Sequence, residues 1–258
     1  MSFIRGVLAG LIAVVALVVG VGAAFAQPVK NIVLVHGAFV DGSSWNKVIP
    51  ILQAKGYNVT AVQIPLTSLA DDVAATQRAI ARLNGPAILV GHSWGGVVIT
   101  EVGTDPKIVG LVYIAAFAPD AGEQVGELGK RYPAPPALAS PIVDEKGFIT
   151  LSADAFKKFG SDLPESEAYL AAATQGPINS ASFAATVSGV AWKTKPSWYA
   201  VSTLDQAISP DEERFFAKRM KATTTELKSS HVSLVSQPKA VAAIIMDAAG
   251  KAQLASAH

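Results

Sequence analysis

Gly91-His92-Ser93-Trp94-Gly95-Gly96 follows the apolar run Ala87 to Val90 and leads into a second apolar segment, Val97 to Val102. A serine between a strand and a helix, with glycine two positions away on either side, is the pattern by which a sheet presents a nucleophile. The turn must be so tight that the serine backbone is strained, and side chains at Gly91 and Gly95 would collide with neighbouring backbone. Six such residues also occur in ordinary glycine-rich turns, so their meaning depends on what surrounds them.

Upstream, strand-like and helical runs alternate. Asn31 to Val35, Asn58 to Ile64 and Ala87 to Val90 are separated by helical stretches around Trp45 to Lys55 and Leu69 to Leu83. Gly56 closes the first helix, Ser68 with Asp71 forms an N-cap signature for the second, and Asn84-Gly85-Pro86 ends it. Leu69, Val73, Ile80 and Leu83 share one face of that helix, as packing on a sheet requires. Downstream come Ile108 to Ala116, Ser197 to Leu204 and Thr223 to Lys228. Continuous apolar runs suit strands buried on both faces, and the alternation predicts an α/β fold of roughly six mostly parallel strands flanked by helices. Between the fourth and fifth runs, Pro119 to Pro196 is proline-rich with helical pieces near Ala153 to Phe159 and Glu165 to Ala173. An insertion of this kind predicts a helical lid at about 119–196 on a domain spanning 27–258.

The composition is that of a globule, 50% hydrophobic and 16% charged. Residues 1–26 carry one charge, Arg5, then the apolar run Val7 to Val21 and Ala24-Phe25-Ala26, the small-x-small form of a processing site before Gln27. This predicts a signal peptide and an exported, periplasmic or secreted protein, with an uncleaved N-terminal anchor as the alternative. The chain has no cysteine, so disulfides are excluded. With 21 basic and 20 acidic residues there is no electrostatic footprint for nucleic acid. No cofactor or metal is implied, since there is no H-E-x-x-H, cysteine cluster or phosphate-cradling loop. Nothing selects between monomer and homodimer.

A serine hydroxyl needs a base within reach and a third group that orients the base. The sequence has four histidines. His92 points away from a turn that aims Ser93 outward, His258 sits on the C-terminal tail, and His36 ends the first strand, where bonding loop backbone is its expected role. His231, after the last strand, is the expected base. Asp205, directly after the strand ending at Leu204, is the expected acid at the same sheet edge. Asp120, at the preceding strand end, is its competitor. Asp211 and Glu212 are better explained by helix initiation, because Ser209-Pro210-Asp211-Glu212 has the form of an N-cap, a first-turn proline and a capping-box glutamate. Two backbone amides, those of Ala38 and Trp94, are the expected oxyanion donors. Phe39, Phe117, Tyr169 and Trp192 are the candidates for contacting substrate, and apolar lining favours small aromatic or alkyl esters.

The order Ser93, Asp205, His231, with His36-Gly37 upstream, resembles the α/β-hydrolase superfamily over nearly the whole chain after the leader. Val33-Leu34-Val35-His36-Gly37-Ala38, Ser44-Trp45, Gly56-Tyr57-Asn58-Val59 and Gly91 to Gly96 are similar to the branch containing plant methylesterases, hydroxynitrile lyases and bacterial small-ester carboxylesterases. The resemblance implies a serine carboxylesterase acting through an acyl-enzyme. Lactone, thioester or amide cleavage by the same residues, or a ligand-binding receptor that retains them, are the alternatives. Lyases of this branch carry threonine after the loop histidine and lysine beside the catalytic histidine, where this chain has Gly37 and Val232. Both departures favour hydrolysis. The two leading strands of the superfamily sheet are expected to be absent, since the first strand begins a few residues after Gln27.

Overall fold

The computed structural model describes residues 29–255; the expected leader at 1–26 and His258 lie outside them. The chain runs through β1 (Asn31–Val35), a 3-10 turn at Gly42–Trp45, α1 (Ile49–Ala54), β2 (Asn58–Val62), α2 (Leu69–Ala81), β3 (Ala87–His92), α3 (Gly95–Val102) and β4 (Ile108–Ile114). An insertion follows, with α4 (Val125–Leu128), β5 (Ile142–Val143), β6 (Phe148–Thr150), α5 (Ala153–Phe159), α6 (Glu165–Thr174) and β7 (Ile178–Asn179). The chain then returns through β8 (Ser197–Ser202), α7 (Pro210–Arg219), β9 (Thr223–Leu227), α8 (Ser233–Ser236) and α9 (Pro238–Ala255). Among the described residues no helix is long and apolar enough to cross a membrane.

Six parallel strands form the sheet, in the order β2-β1-β3-β4-β8-β9. β1, β3 and β8 are buried along their whole length, as their unbroken apolar character predicts, whereas the first four residues of the edge strand β9 are exposed and polar. The first helical stretch divides at Pro50, whose missing N–H and fixed φ suit the first turn of α1. Ser68 caps α2 by accepting from the Asp71 amide at 3.1 Å, and Leu69 and Ile80 bury the helix's apolar face.

The chain steps from β1 outward to β2, then crosses to β3 on the other side of β1. At such a reversal the loops leaving the two central strands separate and open a crevice at their C-terminal ends. In the parallel register Val35 of β1 stands opposite Gly91 of β3, so the loop after His36 and the turn at Ser93 emerge side by side. The insertion covers this end of the sheet. Its small antiparallel sheet, β5-β6-β7, and its two longer helices account for the proline-rich span, and it contributes α4, α5 and the segment around Pro133 to the wall of the crevice.

At Gly95 an added Cβ would lie 2.6 Å from the Val35 carbonyl oxygen, and at Gly91 one would lie 2.6 Å from the Gly95 oxygen. Gly250, on an exposed turn of α9, has no atom within 4 Å of such a Cβ. Gly91→Ala is therefore expected to destabilise the protein by about 1–3 kcal/mol through overpacking, while Gly250→Ala stabilises it by about 0.5–1 kcal/mol. Urea unfolding of the two variants checks this, and effects of the same sign would contradict it.

Candidate active site

Ser93 sits at the top of β3 with φ +51°, a left-handed backbone that a serine adopts only when its surroundings enforce it. They do so through three bonds: the Ser93 amide donates to Ile114 O at 3.2 Å, and Ser93 O accepts from the Gly96 amide at 2.9 Å and the Phe117 amide at 3.2 Å. The residue is 6% exposed and faces a cavity of about 550 Å³.

Asp205 follows β8 and His231 follows β9, which lie next to each other in the sheet. The His231 ring donates from Nδ1 to Asp205 Oδ2 at 2.5 Å, with both side chains buried. The other carboxylate oxygen, Oδ1, accepts from the amides of Ala207 at 2.6 Å and Ile208 at 2.9 Å, so the acid is locked by its own loop. His231 Nε2 has no hydrogen-bond partner among the described residues, and the ring lines the same cavity as Ser93. Phe159 of α5 packs edge-on to that ring, centroids 4.5 Å apart. Asp120 is elsewhere, a third exposed and paired with Lys193 at 2.5 Å.

The remaining histidines hold backbone. The Ile64 amide donates to His36 Nε2 at 3.1 Å, which leaves the proton on Nδ1 to donate to Gly37 O at 2.9 Å. The ring thus ties the loop after β1 to the end of β2. His92 lies fully buried against the His231 ring, and its Nε2 faces His231 O at 2.9 Å. A carbonyl only accepts, so that nitrogen carries the proton. Burial, reinforced by the neighbouring His231, keeps His92 well below the usual histidine range and therefore neutral.

Ala38 and Trp94 both line the cavity, and neither backbone N–H donates to an acceptor among the described residues. The Trp94 indole turns away, donating to Asp72 Oδ2 at 2.8 Å. Burial pushes the Asp72 carboxyl up to about 6, although it also accepts the Leu66 amide at 2.7 Å. Phe39 and Phe117 line the cavity as expected.

Tyr169 and Trp192 do not. Tyr169 is 46% exposed on α6, with the Lys157 ammonium 4.7 Å from its ring centre. Trp192 is buried outside the cavity, where its indole donates to Pro119 O at 3.0 Å and its ring packs under the Arg219 guanidinium. Their places are taken by Tyr132, Leu138, Phe159 and Phe183 from the insertion, and by Ile208 and Glu212. Of these, Phe159 and Glu212 stood on helices foreseen from the sequence, and Glu212 was assigned there to helix initiation. The expected capping box is also absent: Pro210 does open α7, but Ser209 makes no side-chain cap bond and Glu212 lies in the buried wall of the cavity.

The model of the alpha/beta hydrolase family matches residues 32–244. A pyrethroid hydrolase of Sphingobium wenxiniae is 30% identical over 138 residues, which is 46% of this chain and 49% of that protein. Salicylic acid-binding protein 2 of Nicotiana tabacum is 33% identical over 115 residues, 36% of this chain and 41% of that one. These matches span about half or less of the relatives' length. The crystal structure of a pyrethroid hydrolase from Sphingobium faniae JZ-2 has the same fold, with a TM-score of 0.73 at 24% identity, covering 86% of this chain and 98% of that one.

A second carboxyl lies beside Asp205. Glu213 of α7 is fully buried, and its Oε2 accepts the Ser202 amide at 2.9 Å. Burial, together with the Asp205 carboxylate beside it, pushes Glu213 well above the usual range, so that Glu213 retains its proton. Because the folded state retains this proton, stability is lost as pH rises above the pKa of the unfolded chain, about 4.3, toward the folded value. Glu213→Gln, which keeps an acceptor for the Ser202 amide and needs no proton, is therefore expected to gain stability relative to the native protein between pH 5 and pH 8. Glu213→Leu leaves the buried Ser202 amide without its acceptor and should lower Tm. A Gln variant whose relative stability falls with pH would contradict the assignment.

Proposed function

Because the chain belongs to the alpha/beta hydrolase family, we propose that it is a carboxylic ester hydrolase working through a covalent acyl-enzyme. The observation that carries this is His231, whose Nδ1 is fixed on Asp205 while Nε2 has no partner among the described residues and the residue lines the same cavity as Ser93. As the Ser93 oxygen attacks the ester carbonyl carbon, His231 Nε2 takes its proton, and Asp205 stabilises the imidazolium. The carbonyl oxygen becomes an oxyanion held by the Ala38 and Trp94 amides, each such donor being worth roughly 10²–10³ in rate. His231 then passes the proton to the departing alkoxide. Water, deprotonated at the same nitrogen, attacks the acyl carbon, and Ser93 leaves with the proton returned to it.

The cavity volume is in the range of small-molecule sites, and its wall is mainly aliphatic and aromatic, which supports small apolar esters as substrates. Gly37 supports hydrolysis over the lyase chemistry of the resembling branch. A Cβ there would lie 2.6 Å from the Ser93 Cβ and 3.0 Å from His92 Nδ1, so a threonine has no room beside this serine. The names of matched relatives, pyrethroid hydrolase and methylesterase, support the same class.

A fluorophosphonate should label Ser93 alone, and short p-nitrophenyl esters should be turned over; failure to label the folded protein would overturn the proposal, and labelling without turnover would move it to a ligand-holding protein. Asp205→Asn should lower kcat by about 10⁴ by misplacing the imidazole proton, while Asp120→Asn leaves it near the native value. We propose in addition that residues 1–26 direct export. The protein recovered from its host should then begin at Gln27, and an intact chain in the membrane fraction would establish the anchor instead.

A further inference from the structure

Glu212 is out of place in the cavity. The residue is 3% exposed and lines a wall that includes Phe39, Phe117, Leu138, Phe159 and Phe183. Its Oε1 is buried without a hydrogen-bond partner, and the side chain enters no ion pair among the described residues. The nearest cations are engaged elsewhere or held back. Lys130 pairs with Glu127 at 2.6 Å, and Arg131 acts on Glu212 only through its field. A buried carboxyl with an open acceptor is costly to a fold. Glu212 does not cap α7, and the mechanism does not use it.

A carboxyl that lines the space a substrate must occupy, with neither oxygen accepting a hydrogen bond among the described residues, has the chemistry of half a hydrogen bond. We propose that Glu212 is a recognition site for a hydrogen-bond donor, an ammonium or hydroxyl group, on an otherwise apolar ester. The inference rests on the ester-hydrolase reading and narrows its substrate class. A donor reaching Glu212 completes a polar contact that the protein itself does not supply, whereas an alkyl group there leaves the carboxyl buried and unpaired. Selection of this kind is strong because the penalty for the wrong substrate falls on a desolvated polar group.

The groups acting on Glu212 define its pH behaviour. Burial pushes the carboxyl up to about 7, Arg131 opposes this, and Asp205 adds to it. Tyr132 feels Glu212 in return, and Lys130 and His231 line the same cavity. As Glu212 ionises, its attraction for an ammonium substrate increases. Comparing two esters on one enzyme cancels whatever pH dependence the shared catalytic machinery has.

The test is kcat/KM for matched p-nitrophenyl and alkyl esters in which a terminal methyl is replaced by hydroxymethyl or aminomethyl, on the acyl chain in one series and the alkoxy group in the other. In one series the native protein should prefer the donor-bearing ester about tenfold more than Glu212→Leu does. Glu212→Gln should keep the preference for hydroxyl and lose that for ammonium. The native preference for the ammonium ester should also rise between pH 5.5 and 8.5. If Glu212→Leu does not fold, as judged by fluorophosphonate labelling, the Gln variant and the native pH series decide the matter. Ratios equal in native and Leu proteins, or a native ratio flat with pH and unchanged in the Gln variant, overturn the inference while leaving the hydrolase reading intact. If the native protein cleaves none of these esters, that reading fails and this inference with it.

Discussion

Two backbones approach each other at the end of the central strands with no room for a side chain between them. A Cβ on Gly95 would lie 2.6 Å from Val35 O and 2.7 Å from His36 O. That near-contact forces the turn after β3 to close over the end of β1, and the other features of the site follow from it. Ser93 is driven into its left-handed conformation, held from the β4 side by the Ile114 carbonyl and the Phe117 amide, and the loop carrying Ala38 is brought against Ser93. A preorganised oxyanion site needs donors that do not move during the reaction, and backbone wedged in this way has little freedom to move.

Around this turn the interior is polar but largely uncharged. His36 and His92 are neutral by burial, each bonding backbone, and Glu213, buried beside the Asp205 carboxylate, retains its proton. In a low dielectric, each of these groups would disturb the His231–Asp205 pair if it carried charge. Kept neutral, they act as spacers and hydrogen-bond partners. His92 in particular supports the backbone of His231 from below while Phe159 of the insertion packs on its ring. The insertion is thus part of what holds the histidine as well as the cover of the cavity.

The sheet was legible because strands buried on both faces need unbroken apolar sequence, and β1, β3, β4 and β8 have it. Their starts agree with the runs at Asn31, Ala87, Ile108 and Ser197; β1 also ends at Val35 as read, β3 runs on to His92, and β4 and β8 stop at Ile114 and Ser202, short of the runs. Ser93, Asp205 and His231 were legible for the same reason: each closely follows a recognisable strand, and parallel strands end on one edge. The cavity wall was not. In the proline-rich insertion no period relates a residue's position to its direction, so Tyr169 reads like a pocket aromatic and faces solvent, while Phe183, in a short 3-10 turn, faces the pocket. Glu212 was obscured differently. A serine, a proline and a glutamate at capping spacing describe a helix start well, and only the tertiary placement of α7 turns that glutamate inward.

The most direct measurement is the identity of the atom that carries the acyl group during turnover. Rapid acid quenching of the protein with a short p-nitrophenyl ester, followed by peptide mass analysis, should find one acyl adduct, on the peptide containing Ser93, formed and lost at rates consistent with turnover. Steady turnover with no adduct on Ser93, or an adduct on another residue that accounts for the full rate, would contradict the account.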